Sequence, residues 1–433
     1  MAVAHRLRFS ASMTESAVRQ SPLPWTCPFC PLLCDGFGVA VTGSALSLTG
    51  SDCPRAQAAL ARFDLKTAAA AEVDGQPSEL DAAIAAAATL LRTSRQPLIA
   101  GLGTDVAGAR ALYRLACATG AISDAAGGDV LMQGLRVLQD RGGFSTTLAE
   151  VRERADLVVC VGSVPSARFP EFFARCGLFD AKPGAAPVIR LGEAADEPAW
   201  QAAAARLGSR ASTVATGDDD LYTTAAWLAS LVEGRAAAAA PAGLAALAAQ
   251  LKAARYAVLV YEPARLPAQG ALVIEMLNRV VATLNRKTRA AALALGGNDG
   301  AATANQVYAW LSGLPLRSRA GPSGLEHEPL AFGTARLVSD RAVDALLWIS
   351  SFEGHAPPVA KLPAIVLGPP HAERAGAAVF IPVATPGLTS AGHLFRTDGT
   401  VLMPLHAAYA DGLPSVADVV QRLTAALHTE GTP

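Results

Sequence analysis

Between residues 75 and 200, short apolar runs alternate with longer stretches in which apolar positions recur at helical spacing. The runs at 97–100, 157–161 and 187–191 read as strands buried on both faces. Residues 105–119 set Ala109, Leu112 and Ala116 on one helical face and stop at Gly120, so a strand, a loop with Gly101 and Gly103, and a helix follow in order. The pattern returns later in the chain, with strands expected at 257–261, 345–349, 364–367 and 379–383 and a helix over 272–284. This alternation predicts an α/β fold with parallel sheets in two related halves.

Two stretches sharpen the likeness between the halves. Residues 156–165 and 344–353 each consist of an acidic residue, a buried strand and a turn of small residues at its carboxyl end, where open α/β sheets bind ligands. The expected layout begins with a loose tail over 1–22 and a cysteine-rich segment over 23–66. Two α/β domains over 67–215 and 251–375 follow, joined by an Ala-rich, helix-containing connection over 216–250, and a C-terminal segment runs over 376–433.

With 433 residues, 51% hydrophobic and 17% charged, the chain is long enough for several cores and is neither disordered nor fibrous. A formal net charge of -1 gives no electrostatic footing for a nucleic-acid partner or an anionic membrane surface. No stretch of about 18 apolar residues runs free of Gly, Pro or charge. The first 22 residues lack the apolar core of a secretory signal, so a cytoplasmic location is expected.

Seven cysteines are an odd number, and four of them crowd into the first 53 residues, which suits a metal centre in a reducing compartment better than a disulfide framework. The spacing Cys27-x2-Cys30-x3-Cys34-x18-Cys53, with Pro54 after the last, lies in a Pro- and Gly-punctuated segment free to wrap a metal. It matches a [4Fe–4S] arrangement more closely than the paired CxxC units of structural zinc, with zinc and four unligated thiols as the alternatives. Cys117, Cys160 and Cys176 lie in apolar contexts without nearby partners and read as core residues.

Taken with Arg154-Ala-Asp-Leu-Val-Val159, the cluster resembles the molybdopterin oxidoreductase superfamily. Later segments resemble the catalytic B subunit of formylmethanofuran dehydrogenase: Asn305-Gln-Val with Trp310 and Gly313-x-Pro315, then Gly392 with Arg396-x-Asp398-Gly399, and more loosely residues 344–357. The likeness spans residues 25–410. It implies that family's fold. In active members it also implies molybdenum or tungsten between two molybdopterin guanine dinucleotides, a cysteine or selenocysteine ligand to the metal, and a proximal [4Fe–4S] cluster.

The chain departs from that pattern at the metal. The family's ligand loop corresponds to residues 101–110, where Ala107 falls at the ligand position and Gly108 replaces an acidic residue. Neighbouring registers offer only Thr104, Asp105 or Val106. A methyl group cannot replace a soft thiolate, and Asp105 at a helix start suits a cap. The family's Gly-x-Asn-Pro becomes Gly162-Ser-Val164-Pro165, and the matching turn of the second half carries Phe352. Neither side chain offers a hydrogen-bonding group. Both dinucleotide sites, near Gly101, Gly103, Val164 and Phe352, are therefore expected to be vestigial, with no catalytic residue and with molybdopterin guanine dinucleotide, molybdenum and tungsten absent.

These departures make the chain most similar to the branch of the family that serves formyltransferase/hydrolase complexes of methylotrophic bacteria. The resemblance implies a structural subunit descended from the catalytic one. The complex moves a formyl group from formyl-tetrahydromethanopterin to a methanofuran-type carrier and hydrolyses the product to formate. The implied partners are a zinc amidohydrolase-like subunit, a formyltransferase subunit and a third subunit. The alternative is an active molybdenum or tungsten formylmethanofuran dehydrogenase subunit passing electrons through Cys27, Cys30, Cys34 and Cys53.

Other clusters carry less chemistry. The seven histidines show no zinc-binding spacing, and Gly101 and Gly103 lack the full G-x-G-x-x-G pattern of a phosphate loop. Glu326-His327-Glu328 reads as a solvated turn, and Arg279, Arg286, Lys287 and Arg289 as a solvated helix end. Trp348, Phe352, Phe380 and Phe395 read as packing.

Overall fold

A computed structural model describes residues 19–20, 25–64, 70–180, 184–192, 196–216, 220–235, 240–297 and 299–429. The principal strands, in chain order, are β1 (Pro97–Gly103), β2 (Leu157–Val161), β3 (Val188–Leu191), β4 (Ala211–Val214), β5 (Tyr256–Tyr261), β6 (Arg289–Ala294), β7 (Ala345–Ser350), β8 (Ala364–Gly368) and β9 (Val379–Pro382). The principal helices are α1 (Pro54–Leu60), α2 (Val106–Thr119), α3 (Leu221–Val232), α4 (Ala242–Ala253), α5 (Gly270–Leu284) and α6 (Ala301–Ser312). Every residue of β1, β2, β7, β8 and β9 is buried, which is why these strands are continuous apolar runs without alternation.

Five strands form one parallel sheet in the order β4-β3-β2-β5-β6. In a nine-stranded sheet β1, β7, β8 and β9 run parallel at the centre with Ile122–Ser123 beside β1. Antiparallel hairpins close its two edges: Ser318–Gly321 with Gly324–His327, and Ala71–Val73 with Gln76–Ser78. All seven expected strands are present, and the chain is a mixed α/β protein with parallel sheets. Among the described residues, no helix is long and apolar enough to cross a membrane.

The halves drawn at 67–215 and 251–375 interleave in space: β1 pairs with β7, and β2 with β5. The acidic residue ahead of each central strand explains the exchange. Asp156 accepts the backbone N–H groups of Arg255 and Tyr256, at the start of β5. Asp344 accepts those of Arg95 and Gln96, at the start of β1. Each half thus fixes the entry of a strand supplied by the other.

One local expectation changes, at Cys117. The helix-containing connection over 216–250, outside residues 217–219 and 236–239, holds α3 and α4, and their Leu228, Leu244, Leu247 and Leu251 join the core over the five-stranded sheet rather than forming a core of their own. Cys117 is exposed, because the buried stripe of α2 runs through Leu112, Leu115 and Ala116 and leaves the next residue outside it; Cys160 and Cys176 are buried as expected. The tail over 1–22 lies outside the described residues except for Arg19–Gln20, which pairs with Val41 and Ala40.

The glycines after residue 100 are strand, not loop. β1 runs on through Gly101 and Gly103 past an irregularity opposite Trp348 and Ser350 of β7. Gly101 has φ +78°, and a Cβ there would lie 2.4 Å from the Ile349 carbonyl oxygen; at Gly103 it would lie 2.6 Å from Asp299 Oδ2 and 2.8 Å from Ser350 Cα. These residues are small because two central strands and a carboxylate crowd them. Gly101→Ala is expected to lower the unfolding free energy by about 2–3 kcal/mol, measured by chemical denaturation.

Candidate metal centre

The four cysteines of the N-terminal segment are all buried. The chain wraps tightly there: Cys27 N–H donates to the Cys34 carbonyl at 2.9 Å, Leu33 N–H to the Cys30 carbonyl at 3.0 Å, and Leu33 takes a left-handed φ of 45°. Cys53 caps α1, with its N–H on Ser51 Oγ at 3.0 Å and Pro54 opening the helix. Cys27 and Cys53 pack with Trp25, Phe29 and Leu60, while Cys30 and Cys34 join the core that holds Val164 and Phe172. Trp25 Nε1 anchors the segment on the Gly387 carbonyl.

Burial pushes the Cys30 thiol up to about 11 and the Cys34 thiol up to about 12, and raises Cys27 well above its ordinary value. Opposing forces are already in place. The Phe29 N–H points at Cys27 and the Leu32 N–H at Cys30, Arg55 lies beside Cys30, and Arg175 beside Cys34. Cys27 feels all three other thiols. Yet among the described residues no three Cys, His, Asp or Glu side chains close on one point as a single ion requires. A cavity of about 410 Å³ opens beside Cys34, lined by Arg152, Glu171, Arg175 and Arg396.

The segment sits at the carboxyl ends of both sheets. Thr397 N–H donates to the Pro31 carbonyl at 2.8 Å, while Thr397 Oγ1 donates to the Ala294 carbonyl at the end of β6. Asp398, whose side chain is fully buried, pairs with Arg396 at 2.6 Å and accepts the Leu148 N–H at 3.2 Å. The Gly392–Gly399 segment is therefore a strap. It also meets the Asn305–Pro315 segment and the turn of α6 ahead of it: Phe395 N–H donates to Thr303 Oγ1, and its ring stacks edge-on with the exposed Trp310 at 5.1 Å. Asn305 Oδ1 accepts the Leu316 N–H and fixes the turn after α6.

Strand order reverses between β1 and β7 in the larger sheet and between β2 and β5 in the smaller, and each reversal opens a crevice of the kind that binds ligands. In the first, Asp105 caps α2 by accepting the Gly108 N–H at 3.0 Å, and its other oxygen accepts the His393 N–H at 3.4 Å. Ala107 is exposed on the first turn of α2. Phe352 is fully buried against Leu33, Leu394 and Leu405. In the second crevice Val164 is fully buried, and Arg168 bridges Asp196 and the buried Glu262, with Ser163 Oγ donating to Glu262 at 2.8 Å. Val164 and Phe352 are apolar, and Arg168, Asp196, Glu262 and Ser163 are paired with one another, whereas the buried Thr104 hydroxyl just after β1 has no hydrogen-bond partner among the described residues.

Asp299, Glu353 and His355 form a polar group beside the first crevice that no spacing in the sequence announces. Ser350 Oγ donates to Asp299 at 2.9 Å, and His355 Nε2 stands 3.3 Å from Glu353. Burial pushes the Asp299 carboxyl up to about 6, against the opposing pull of His355 and the Ser350 hydroxyl. For Glu353 burial also pushes upward, but the His355 hydrogen bond and the Arg55 charge win and hold it at about 2. A carboxyl raised on folding destabilises as it ionises, so stability falls as pH rises from about 4 through 6 on account of Asp299. The Glu353 contribution is complete above its ordinary value of 4.5 and is lost as pH falls toward 2. Asp299→Asn is expected to raise stability at pH 7 by about 1–2 kcal/mol, because partial solvation screens part of the effect, and to flatten the pH 4–6 slope in denaturant midpoints.

The remaining candidates are structural. Glu326 and His327 lie in an edge hairpin rather than a turn, with Glu326 on Arg319 and His327 Nδ1 at 3.0 Å from the Arg317 carbonyl oxygen. Arg279 makes a two-pronged pair with Glu233. Trp348 and Phe380 are core residues.

No protein-family model matches the chain. It is 34% identical over 363 residues to the B subunit of the formyltransferase/hydrolase complex Fhc of Methylorubrum extorquens, covering 82% of this chain and 95% of that protein. Its fold matches, with TM-score 0.71 and 31% identity over 83% of this chain and 98% of the other, a chain in the crystal structure of the formyltransferase/hydrolase complex FhcABCD from M. extorquens in complex with methylofuran. Near-complete coverage of that relative, at this identity, means that the chain belongs to the B-subunit family of formyltransferase/hydrolase complexes.

Proposed function

We propose that the chain is the non-catalytic, structural B component of a cytoplasmic formyltransferase/hydrolase complex that converts formyl-tetrahydromethanopterin, by way of a formylated methanofuran-type carrier, to formate. Its partners in this reading are a zinc amidohydrolase-like subunit, a formyltransferase subunit and a third subunit. Its fold is that of a molybdopterin oxidoreductase whose cofactor site has been given up, with residues 67–215 and 251–375 as related halves. The observation that carries this is the set of side chains at both strand-order reversals. Val164 and Phe352 are buried there, Arg168 is neutralised by Glu262 and Asp196, and Ala107 brings no donor atom. These residues do not fit a metallopterin, whose phosphates and guanines need many polar partners.

The spacing of Cys27, Cys30, Cys34 and Cys53 and their common burial support a [4Fe–4S] cluster, which would tie down a segment with little regular structure of its own. The test is elemental analysis for Mo, W, Fe and Zn on anaerobically purified complex, with an assay for released pterin. Iron without molybdenum, tungsten or pterin is the expected result. Stoichiometric molybdenum or tungsten with pterin would instead support an active dehydrogenase.

A further inference from the structure

The hairpin near the C-terminus pairs Gly392–Phe395 with Leu402–Leu405, setting Phe395 opposite Leu402 and His393 opposite Pro404. Successive side chains alternate between its two faces. The inner face sends Leu394 and Leu405 into the cluster with Phe352, and Met403 packs against it. An outer face left to water would carry polar residues, yet this one holds Phe395, Leu402 and Pro404 beside His393. Trp310, from the last turn of α6, stacks edge-on with Phe395 and extends the apolar surface. Trp310 is 56% exposed, the next residue Leu311 43% and Leu402 41%. The centre of this face therefore offers aromatic and aliphatic area with no charge on it.

Its flank is basic. Helix α2 packs against both α6 and the hairpin, and its solvent side carries Arg110 and Arg114. Among the described residues neither arginine makes an ion pair. We infer that this face docks a different subunit of the complex, through an apolar patch flanked by carboxylates, with Trp310 as the central anchor. The inference rests on the reading that the chain works inside a complex of several unlike subunits. A second copy of the chain does not match the face, since a two-fold contact would set the arginines of both copies around one apolar centre. Nor do the first 18 residues, whose Arg6 and Arg8 against Glu15 bring the same sign of charge.

The experiment is native mass spectrometry of the complete co-expressed complex over a dilution series at low and high salt, with a melting temperature for every variant. Trp310→Ala is expected to raise the dissociation constant of one particular subunit by about 30-fold, the loss of a central aromatic anchor. Arg110→Glu with Arg114→Glu is expected to release that same subunit, and added salt to weaken the wild-type contact more than the reversed one. The reversal touches no core residue, so it decides the matter should Trp310→Ala also lower the melting temperature. Release with Trp310→Ala but not with the reversal overturns the acidic partner, and the opposite result overturns Trp310 as anchor. Loss of a second copy of this chain, rather than of a different subunit, overturns the occupant. So does wild-type binding to phosphatidylserine–phosphatidylcholine vesicles that either variant abolishes. A complex that forms and dissociates as wild type in both variants overturns the inference alone, whereas a chain that co-purifies with no other subunit overturns the complex reading and the inference with it.

Discussion

Arg317→Met is expected to lower the unfolding free energy by about 3–5 kcal/mol, because it strands a buried carboxylate. The Arg317 side chain is 3% exposed and the facing Asp124 2%, with Nε and Oδ1 3.1 Å apart. Nη2 reaches Asp129 at 2.6 Å, and Nη1 donates to the Pro329 carbonyl. Asp124 also accepts the Thr334 N–H and hydroxyl and the Ala125 N–H, so one carboxylate joins three segments at an edge of the nine-stranded sheet. The double change Asp124→Asn with Arg317→Met removes the orphaned charge and should recover part of the loss. Urea titrations of the three proteins measure this directly; a single-variant loss below about 1 kcal/mol would mean that water reaches Asp124 and screens it.

Phe352→Ala is expected to cost about 3–5 kcal/mol of stability through the cavity it leaves, while formate release per assembled complex stays unchanged. The ring is 1% exposed and packs with Leu33 from the cysteine segment and Leu394 and Leu405 from the C-terminal hairpin. Its site is a strand-end crevice, so the stability loss and the activity readout separate a packing residue from a remnant of a binding site. A fall in formate release by intact complex, beyond the loss of assembled material, would return chemistry to this crevice. Thermal unfolding of the isolated complex and steady-state formate assays supply the two readings.

Much of the fold was legible because its central strands are continuous apolar runs with an acid ahead and small residues behind. Residues 157–161 were recoverable in full, and Asp105 as a cap followed from its place before a helical stripe. What stayed hidden has physical causes. A strand distorted at Gly101 and Gly103 looks like a loop, since backbone irregularity leaves no apolar period. That the 216–250 connection holds helix was legible, but alanine gives too weak a pattern to show that α3 and α4 pack into the core over the five-stranded sheet. The pairing of Arg55 with Glu353 spans 298 residues, and no local spacing encodes it. Of the candidate site, the four cysteines and the apolar replacements at Val164 and Phe352 could be read from the chain, whereas Asp299, Glu262 and Arg168 acquire meaning only once the sheets have formed.

The exchange of strand entries through Asp156 and Asp344 bears on the order in which the protein can be made. During synthesis the five-stranded sheet is complete once the ribosome has passed β6, and it can fold then. The larger sheet must wait: Gln96, at the start of β1, meets its cap Asp344 only after 248 further residues. Until then β1 offers an apolar edge without its central neighbour, an invitation to mispairing. A chain cut short after β6 would carry one finished sheet beside an unfinished one, which makes nascent chains of that length the species most in need of a holding chaperone.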